Sequence, residues 1–222
     1  MLPLVLFSAG LDSAVLLADA VSRYGGAQPL YVSVGLAWEA EERRMAELFI
    51  AAMERRVSVE PLAQLSLDMR DVYPAGHWAL RGEAPGFDTP DSDVYLEGRN
   101  VILLSKAAVF AARARLPTIL IGPLAGNPFP DARPVFFDTM AQALSLGLDV
   151  ELEIEAPFLA LEKEEVIRRG VELHVPFELT MSCMQPVGGM HCGRCSKCRE
   201  RRDAFRAAGL DDPAPYATRP VR

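Results

Sequence analysis

The amino-acid sequence predicts an α/β protein with an open, mostly parallel, doubly wound sheet and a small C-terminal helical segment that binds a metal ion. Short apolar runs alternate with longer helical runs over most of the chain, which is typical of such a sheet. The first apolar run ends in a turn of small residues that leads directly into a helix. Cysteines cluster near the C-terminus and predict the metal-binding segment.

Strands and helices alternate in the first third of the chain. Residues 11–23 predict a buried helix, which the glycine at position 25 ends. Residues 37–55 predict a second, amphipathic helix. On this helix we expect four charged residues to face solvent: Glu41, Glu42, Arg43 and Arg44. The predicted strands of this part cover residues 2–7, 30–34 and 56–60.

Two loops rich in proline and glycine interrupt the rest of the alternation. The first spans residues 66–98 and the second spans residues 123–134. Long loops in compact domains are usually functional or disordered, so both are candidates for a site. The elements around them are predicted helices at residues 99–115, 135–147 and 163–173 and predicted strands at residues 118–121 and 150–154.

The composition limits the classes of protein to consider. A chain of 222 residues can form one sizeable domain with a small appended module. A net charge of -7 argues against a protein that coats nucleic acid. Residues 191–222 carry a surplus of basic residues, which we expect to lie on a solvated helix face. The N-terminal apolar stretch lacks a basic segment, and no long uncharged apolar run occurs, so we expect a cytoplasmic protein without a membrane span.

The turn after the first strand has the layout of a phosphate-binding loop. Its residues are Ser8, Ala9, Gly10, Leu11, Asp12 and Ser13. Backbone N–H groups at a helix start have no partner within the helix and, with the positive end of the helix dipole, favour an anion. Serine hydroxyls add donors, and Asp12 can cap the helix or hold Mg²⁺. From these residues alone, a plain helix cap explains the turn as well as a nucleotide site does.

The four cysteines are Cys183, Cys192, Cys195 and Cys198. Their spacing, C-x8-C-x2-C-x2-C, lets a turn and a helix start bring four thiolates to one point, as in a structural zinc site. An iron–sulfur cluster also takes four thiolates and stays open as an alternative. A redox role for a C-x2-C pair is a weaker alternative. His191 is a further candidate ligand, although we expect it outside the ligand set.

Several motifs of the chain resemble those of one family. The loop at residues 8–13 resembles the Ser-Gly-Gly-x-Asp-Ser signature of N-type ATP pyrophosphatases, which split ATP between its α and β phosphates. Together with the cysteines, it makes the chain similar to the 7-cyano-7-deazaguanine synthase family of queuosine precursor biosynthesis within that superfamily. Four more segments resemble family motifs: Glu97-Gly98-Arg99-Asn100, Phe129-Pro130-Asp131-Ala132-Arg133, Ala156-Pro157-Phe158 with Lys163, and Thr180-Met181-Ser182-Cys183.

This resemblance implies an adenine nucleotide alpha hydrolase-like domain in residues 1–176 and a zinc-binding subdomain in residues 177–222. It implies a ligase that adenylates 7-carboxy-7-deazaguanine with ATP, forms an amide with ammonia and converts this amide to the nitrile with a second ATP. The resemblance further implies that ATP acts with Mg²⁺, that the zinc ion is structural and that the protein is a homodimer. The implied catalytic residues are Asp12 and Lys163. The implied substrate-binding residues are Arg99, Asn100, Asp131 and Arg133.

Departures from the family pattern keep the acceptor substrate open. Ala9 replaces the first glycine of the loop, residues 34–38 replace a Tyr-Gly-Gln element and a nearby histidine, and Ala132 replaces a cysteine. Lost polar groups change substrate choice strongly. The alternatives are a ligase that amidates another carboxylate or stops at the amide, a tRNA-modifying ATP pyrophosphatase, and a nucleotide-binding module without catalysis. Without the resemblance, the preferred interpretation of Lys163 is a surface lysine paired with the neighbouring Glu162 or Glu164.

Overall fold

The strands form one parallel sheet, as the sequence predicts. A computed structural model describes residues 1–218, so residues 219–222, with the last two arginines of the basic stretch, lie outside the described residues. Within the described chain the sheet has five strands in the order β3-β2-β1-β4-β5. The strands are β1 (Leu4–Leu6), β2 (Gln28–Ser33), β3 (Ala63–Ser66), β4 (Thr118–Leu120) and β5 (Glu153–Glu155).

Helices connect the strands and cover the sheet. They are α1 (Leu11–Tyr24), α2 (Glu39–Met53), α3 (Trp78–Arg81), α4 (Arg99–Ala114), α5 (Pro134–Leu148), α6 (Lys163–Glu172) and α7 (Ser196–Ala207). Short 3₁₀ helices occur at Asp91–Val94, Pro130–Ala132 and Phe177–Leu179. The chain order reverses between β1 and β4, which places the topological switch point of the sheet at the carboxyl end of β1.

Both faces of the sheet are buried, which confirms the doubly wound architecture. Side chains alternate along a strand, so neighbours on β1 enter different cores. Val5 and Phe7 pack in a core with α1, α2, α6 and α7. Leu4 and Leu6 pack in a second core with α4 and α5. The continuous apolar run of β1 is therefore explained by burial on both sides.

The prediction of the third strand at residues 56–60 is wrong. The N–H groups of Arg56 and Val57 still donate to the Met53 carbonyl, over 2.9 and 3.0 Å, so this segment forms the turn that ends α2. Pairing with β2 begins only at Ala63, which lies opposite Leu30. Residues 56–60 include two β-branched valines, which favour a strand. The hydrogen bonds at the end of α2 compete with strand pairing here, and the helix end is the structure that forms.

The fifth strand also begins later than predicted, at residue 153. The N–H groups of Val150 and Leu152 donate to the carbonyl and hydroxyl oxygens of Ser145, over 3.2 and 3.0 Å. These residues are therefore bound to the end of α5 and not to the sheet. The two predicted loops contain short helices, namely α3 and two of the 3₁₀ helices.

The helix face predicted to be solvated, within residues 199–206, contains a buried arginine. Arg201 on α7 has no exposed surface. Its guanidinium donates to Asp212, with distances of 2.9 to 3.1 Å, and to the Thr180 hydroxyl over 2.6 Å. Arg201 thus ties α7 to the segments before and after it. Within the described residues, no helix is both long and apolar enough to span a membrane.

Candidate active site and metal centre

Residues 8–13 comprise the turn after β1 and the first residues of α1 and are called the phosphate loop, after the sequence prediction. Gly10 occupies the position that caps α1, so neither Ser8 nor Asp12 is the cap residue. The Ser8 hydroxyl instead accepts a hydrogen bond from Gly10 N (3.3 Å), and the Ser13 hydroxyl donates to Gly10 O (3.0 Å). Ala9 is fully buried and has a φ of 58°, in the left-handed region that favours glycine. The backbone thus keeps the conformation of a glycine-rich loop although an alanine stands there.

Asp12 and Lys163 meet at the end of the phosphate loop. Lys163 Nζ donates to Asp12 Oδ2 over 3.1 Å, and a second carboxylate, that of Glu200 on α7, also accepts from Lys163. Glu162 forms a capping box with Glu165. The partners that the structure describes for Lys163 are carboxylates distant in sequence, and not the neighbouring glutamates of the alternative interpretation. Burial by itself would lower the pKa of Lys163, but the two carboxylates outweigh it and raise this pKa. Lys163 is therefore a fixed positive charge beside the loop.

A first cavity opens at the carboxyl ends of β1, β2 and β4. Its volume is about 280 Å³, and residues of the phosphate loop line it together with apolar side chains of β1 and β2 and with Ile121, which follows β4. Among the described residues, two buried polar atoms at this cavity have no hydrogen-bond partner, namely Asp12 Oδ1 and Arg99 Nε. Buried polar atoms without a partner are rare and mark places where a ligand, ion or water completes the structure.

A second, larger cavity lies between residues 122–129, the start of α6 and α7. It has a volume of about 520 Å³, and both Lys163 and Lys197 line it. Asp12 lines the first cavity as well as the second, and so does Gly122 after β4. The two cavities therefore meet at the carboxylate that Lys163 contacts.

The structure brings together three of the four predicted substrate-binding residues. Arg99, Asn100 and Asp131 line the first cavity. Asn100 donates from its backbone N to Asp131 Oδ2 (3.0 Å) and from its side chain to Asp131 O (2.8 Å), so this pair joins α4 to the loop before α5. Burial raises the pKa of Asp131. Arg133 is exposed and lies outside the lining that the structure describes for both cavities.

Glu42 does not lie on the solvated face of the second helix, so the prediction for this residue is wrong. Glu42 is buried and lines the first cavity. Its carboxylate accepts from the Tyr31 hydroxyl (3.0 Å) and from Trp38 Nε1 (3.1 Å). Burial raises the pKa of Glu42 to about 7, although Arg99 and Tyr31 act in the opposite direction. Glu42 precedes Met45 by three residues, and Met45 lies on the apolar face of α2. Residues at this spacing share a helix face, so the sequence did contain a signal that Glu42 is buried.

The four cysteines form a compact group. All are buried, and their sulfur atoms lie within 4.8 Å of one another. Three of the Sγ–Sγ distances are 3.9, 3.9 and 3.5 Å. Four sulfurs at about 2.3 Å from one tetrahedral ion are separated by about 3.8 Å, so the group has the size that such an ion requires. The cysteines can therefore bind a metal ion, as the sequence predicts.

Backbone N–H groups surround the sulfur atoms. The N–H groups of Gln185 and Cys192 donate to Cys183 Sγ (3.3 and 3.2 Å), and Arg194 N donates to Cys192 Sγ (3.3 Å). Such hydrogen bonds stabilise thiolates. His191 is buried, and its Nε2 accepts from Ser182 N over 3.1 Å. His191 therefore supports the segment that carries the cysteines, in the outer position that was expected for it.

Comparisons with known proteins agree with this architecture. Residues 3–209 match the family model described as "Queuosine biosynthesis protein QueC". A curated protein of Anaeromyxobacter dehalogenans, named 7-cyano-7-deazaguanine synthase, is 36% identical, over 96% of this chain and 94% of its own length. A protein of the same name from Azoarcus sp. is also 36% identical, over 97% and 96%. A third, from Methanoculleus marisnigri, is 32% identical, over 95% and 96%.

Proposed function

Because this chain belongs to the QueC family of queuosine biosynthesis proteins, we propose that it is an ATP-dependent ligase that converts 7-carboxy-7-deazaguanine and ammonia to 7-cyano-7-deazaguanine. The observation that carries this proposal is the position of Asp12, where two cavities meet beside Lys163. An enzyme that joins two substrates must hold their reacting groups at one point. The two cavities with a shared charged wall provide such a point.

The proposed reaction proceeds through two adenylated species. A carboxylate oxygen of the substrate attacks the α-phosphorus of ATP, the bond to the β-phosphate breaks, and pyrophosphate leaves. Ammonia then attacks the acyl carbon and displaces AMP, which gives the amide. The amide oxygen attacks the α-phosphorus of a second ATP with loss of pyrophosphate. Loss of AMP and of the nitrogen-bound protons leaves the nitrile.

The residues of the loop stabilise charge in this proposal and do not act as nucleophiles. Negative charge grows on the pyrophosphate as it leaves, and groups that are already in place lower the cost of that charge. The N–H groups at the start of α1 and the hydroxyls of Ser8 and Ser13 face the leaving phosphates. Lys163 adds a point charge. Asp12 would hold Mg²⁺, which would supply positive charge to the phosphate oxygens.

The cysteine group has a structural role in the proposal. Cys183, Cys192, Cys195 and Cys198 hold one Zn²⁺ as four thiolates, which leaves no open position for a substrate. With such an ion bound, the cysteines would hold the start of α7, whose Glu200 contacts Lys163. The zinc segment, residues 177–222, then acts as a subdomain that supports the ATP site in residues 1–176.

One assay tests the proposed function. The purified protein is incubated with Mg-ATP, 7-carboxy-7-deazaguanine and ammonium, and AMP and the product mass are measured. We expect AMP and the nitrile. A product that stops at the amide mass supports the related ligase, and AMP formed only with tRNA supports the RNA-modifying pyrophosphatase. Release of ADP, or no nucleotide product with any of these acceptors, contradicts the proposal.

A pair of lysine variants makes this assay specific to the site. Lys163→Ala should lower the rate of AMP formation by at least about 100-fold, because the lost charge stabilises the leaving pyrophosphate. Lys106→Ala is the matched control, since Lys106 on α4 is not among the residues that line the cavities. The control should keep the wild-type rate. Equal rates of AMP formation in the two variants would show that Lys163 does not contribute to the reaction.

The cellular location and oligomeric state are further parts of the proposal. We propose a cytoplasmic homodimer, as the family resemblance implies. Fractionation of cells and the mass of the purified protein by light scattering test these two points independently of the chemistry. A monomer with full activity would exclude the dimer as a requirement.

A further inference from the structure

A buried carboxylate of α2 faces the cavity that the phosphate loop lines. Glu42 has only 8% of its surface exposed, and it lines the first cavity together with Ser8, Gly10 and Ser13. Arg99 lines the same cavity, but among the described residues its guanidinium makes no hydrogen bond to Glu42, and its Nε has no partner. Burial of an ionised carboxylate without a direct ion pair is costly. A carboxylate in such a position beside a cavity is a candidate for ligand recognition.

The two hydrogen bonds that Glu42 accepts fix its orientation and leave sites for two more. The Tyr31 hydroxyl donates to Oε2 (3.0 Å), and Trp38 Nε1 donates to Oε1 (3.1 Å). A carboxylate has about four acceptor sites on its two oxygens, so each oxygen of Glu42 keeps a free site. An ionised carboxylate accepts hydrogen bonds and donates none. The ligand group that suits Glu42 is therefore a pair of adjacent O–H or N–H donors.

The position of Glu42 matches the nucleoside part of a nucleotide and not its phosphates. The strand β1, which leads into the phosphate loop, pairs with β2, and Glu42 is bound to Tyr31 of β2. In dinucleotide-binding folds, a nucleotide with its phosphates at the first strand-to-helix turn has its ribose hydroxyls bound by an acidic side chain further along the chain. An ionised phosphate has no proton to donate, so a carboxylate repels it.

We propose that Glu42 recognises the ribose of ATP by accepting hydrogen bonds from the 2′- and 3′-hydroxyls, one on each carboxylate oxygen. This inference rests on the proposed function, which places the phosphates of ATP on the phosphate loop. ATP carries donors at only two places, the ribose hydroxyls and the 6-amino group of adenine. The ribose hydroxyls stand on adjacent carbons and match both free sites of Glu42. The two N–H bonds of the amino group diverge from one atom, so they match only one of these sites.

Equilibrium binding of nucleotides tests the proposal without turnover, because no acceptor substrate is present. Titration calorimetry at pH 8, above the pKa of about 7 to which burial raises Glu42, compares Mg-ATP with its 2′-deoxy and 3′-deoxy analogues. The wild type should bind each analogue about 10-fold more weakly than ATP, since a hydrogen bond to a charged acceptor is lost.

The Glu42→Gln variant should lose most of this discrimination. It should bind ATP about 10-fold more weakly than the wild type does. It should distinguish ATP from the deoxy analogues by no more than about 3-fold, because hydrogen bonds to a neutral amide are roughly half as strong as those to a carboxylate. Equal discrimination by the wild type and by Glu42→Gln would overturn the proposal.

Purine riboside triphosphate separates recognition of the ribose from recognition of the base. This analogue lacks the 6-amino group of adenine and keeps both ribose hydroxyls. Glu42→Gln should weaken its binding by the same factor as it weakens the binding of ATP. If Glu42→Gln loses affinity for ATP but not for this analogue, Glu42 binds the amino group and the proposal is wrong.

Glu39 provides the matched control. It is a second buried carboxylate on α2, three residues earlier, but its oxygens accept from Ser33 Oγ (2.5 Å), Val34 N (2.7 Å) and Gly35 N (3.2 Å), and it is absent from the described lining of the first cavity. Glu39→Gln should lower the melting temperature and keep the wild-type ratio of affinities for ATP and 2′-deoxy-ATP. Equal loss of discrimination in both variants would show an indirect effect of α2 and overturn the proposal.

If Glu42→Gln does not fold, Tyr31→Phe gives a second test. It removes the donor that orients Oε2 of Glu42, so discrimination against the deoxy analogues should fall by about 2- to 3-fold. Unchanged discrimination would contradict the proposal. Failure of the proposed function looks different: a wild type that binds no ATP contradicts that function, whereas one that binds ATP and both deoxy analogues equally contradicts only the role of Glu42.

Discussion

Lys163 and Asp12 are 151 residues apart in the sequence, yet Lys163 Nζ lies 3.1 Å from Asp12 Oδ2. The same ammonium group contacts Glu200, which follows Cys198 by two positions on α7. A continuous chain of contacts therefore runs from the cysteine group through Glu200 and Lys163 to the phosphate loop. The cysteine group and the candidate ATP site are thus parts of one structure.

Glu200→Gln should lower the free energy of unfolding by about 1 to 3 kcal/mol, because a partly buried charged hydrogen bond is lost. The side chains of Lys163 and Glu200 are only 18% and 21% exposed, which limits screening by solvent. Urea unfolding at pH 7 measures the change. Glu172→Gln is the control, since the Glu172 side chain is 67% exposed and should contribute within about 0.5 kcal/mol. A difference no larger than that of the control would contradict the prediction.

The contribution of Glu200 should also depend on pH. Burial alone would raise the pKa of Glu200, but Lys163 and Lys197 outweigh it and lower this pKa to about 2. A carboxylate with a lowered pKa stabilises the folded state above its ordinary pKa, and this stabilisation is lost as the pH falls towards the folded value. The stability gap between wild type and Glu200→Gln should therefore be constant above pH 5 and decrease below about pH 4.5. If the difference in unfolding free energy between wild type and Glu200→Gln increases as the pH falls, the pKa of Glu200 is raised and not lowered in the folded state.

Substitutions of Ala9 should reveal the strain in the phosphate loop. Because Ala9 has a φ of 58° and is fully buried, a β-branched side chain there is both strained and crowded. Ala9→Val should lower the free energy of unfolding by at least about 2 kcal/mol. Ala9→Gly should change it by less than about 1 kcal/mol, since relief of strain offsets the freer unfolded chain. Chemical denaturation measures the free energies of unfolding of both variants. If Ala9→Val is as stable as the wild type, residue 9 does not have a left-handed backbone.

Two helical glycines should respond in opposite ways to alanine. A Cβ at Gly170 on α6 would clash with the ring of Phe177 and lie 2.8 Å from Val15 Cγ2 on α1. Gly170→Ala should therefore destabilise the fold by about 1 to 3 kcal/mol in spite of its better helix propensity. A Cβ at Gly147 on α5 meets no described atom within 4 Å, so Gly147→Ala should stabilise by up to about 1 kcal/mol. Thermal unfolding of both variants measures this contrast, and a stabilised Gly170→Ala would show that α6 can move away from α1.

Metal analysis should find about one zinc ion per chain, because the four sulfur atoms form a single compact group of the size that one tetrahedral ion requires. Cys195→Ser should lose most of this zinc and melt at a lower temperature, since metal binding contributes to folding free energy. A strong chelator should have the same effect on the wild type and little effect on the variant. Abundant iron with visible absorption would instead support a cluster.

The sequence contained the features that depend on neighbours along the chain. Three such features are local patterns: the buried run of β1, the small residues before α1 and the spacing of the cysteines. The strand, the helix start and the cysteine group that they predict are all present in the structure. The third strand failed because its position depends on where α2 stops and on which residue reaches β2. Competition between alternative hydrogen bonds sets where helices end and how strands are paired. The secondary-structure propensities of the residues do not predict its outcome.

The sequence by itself determined the fold class, the turn of small residues between β1 and α1 and a cysteine group that can bind a metal ion, because alternation, turn chemistry and cysteine spacing are properties of short segments. Only the tertiary structure decided which charges meet. It paired Lys163 with Asp12 and Glu200, turned Glu42 towards a cavity and left Arg133 in solvent. Contacts between residues far apart in the chain depend on how the sheet and helices pack, and charge alone does not encode them.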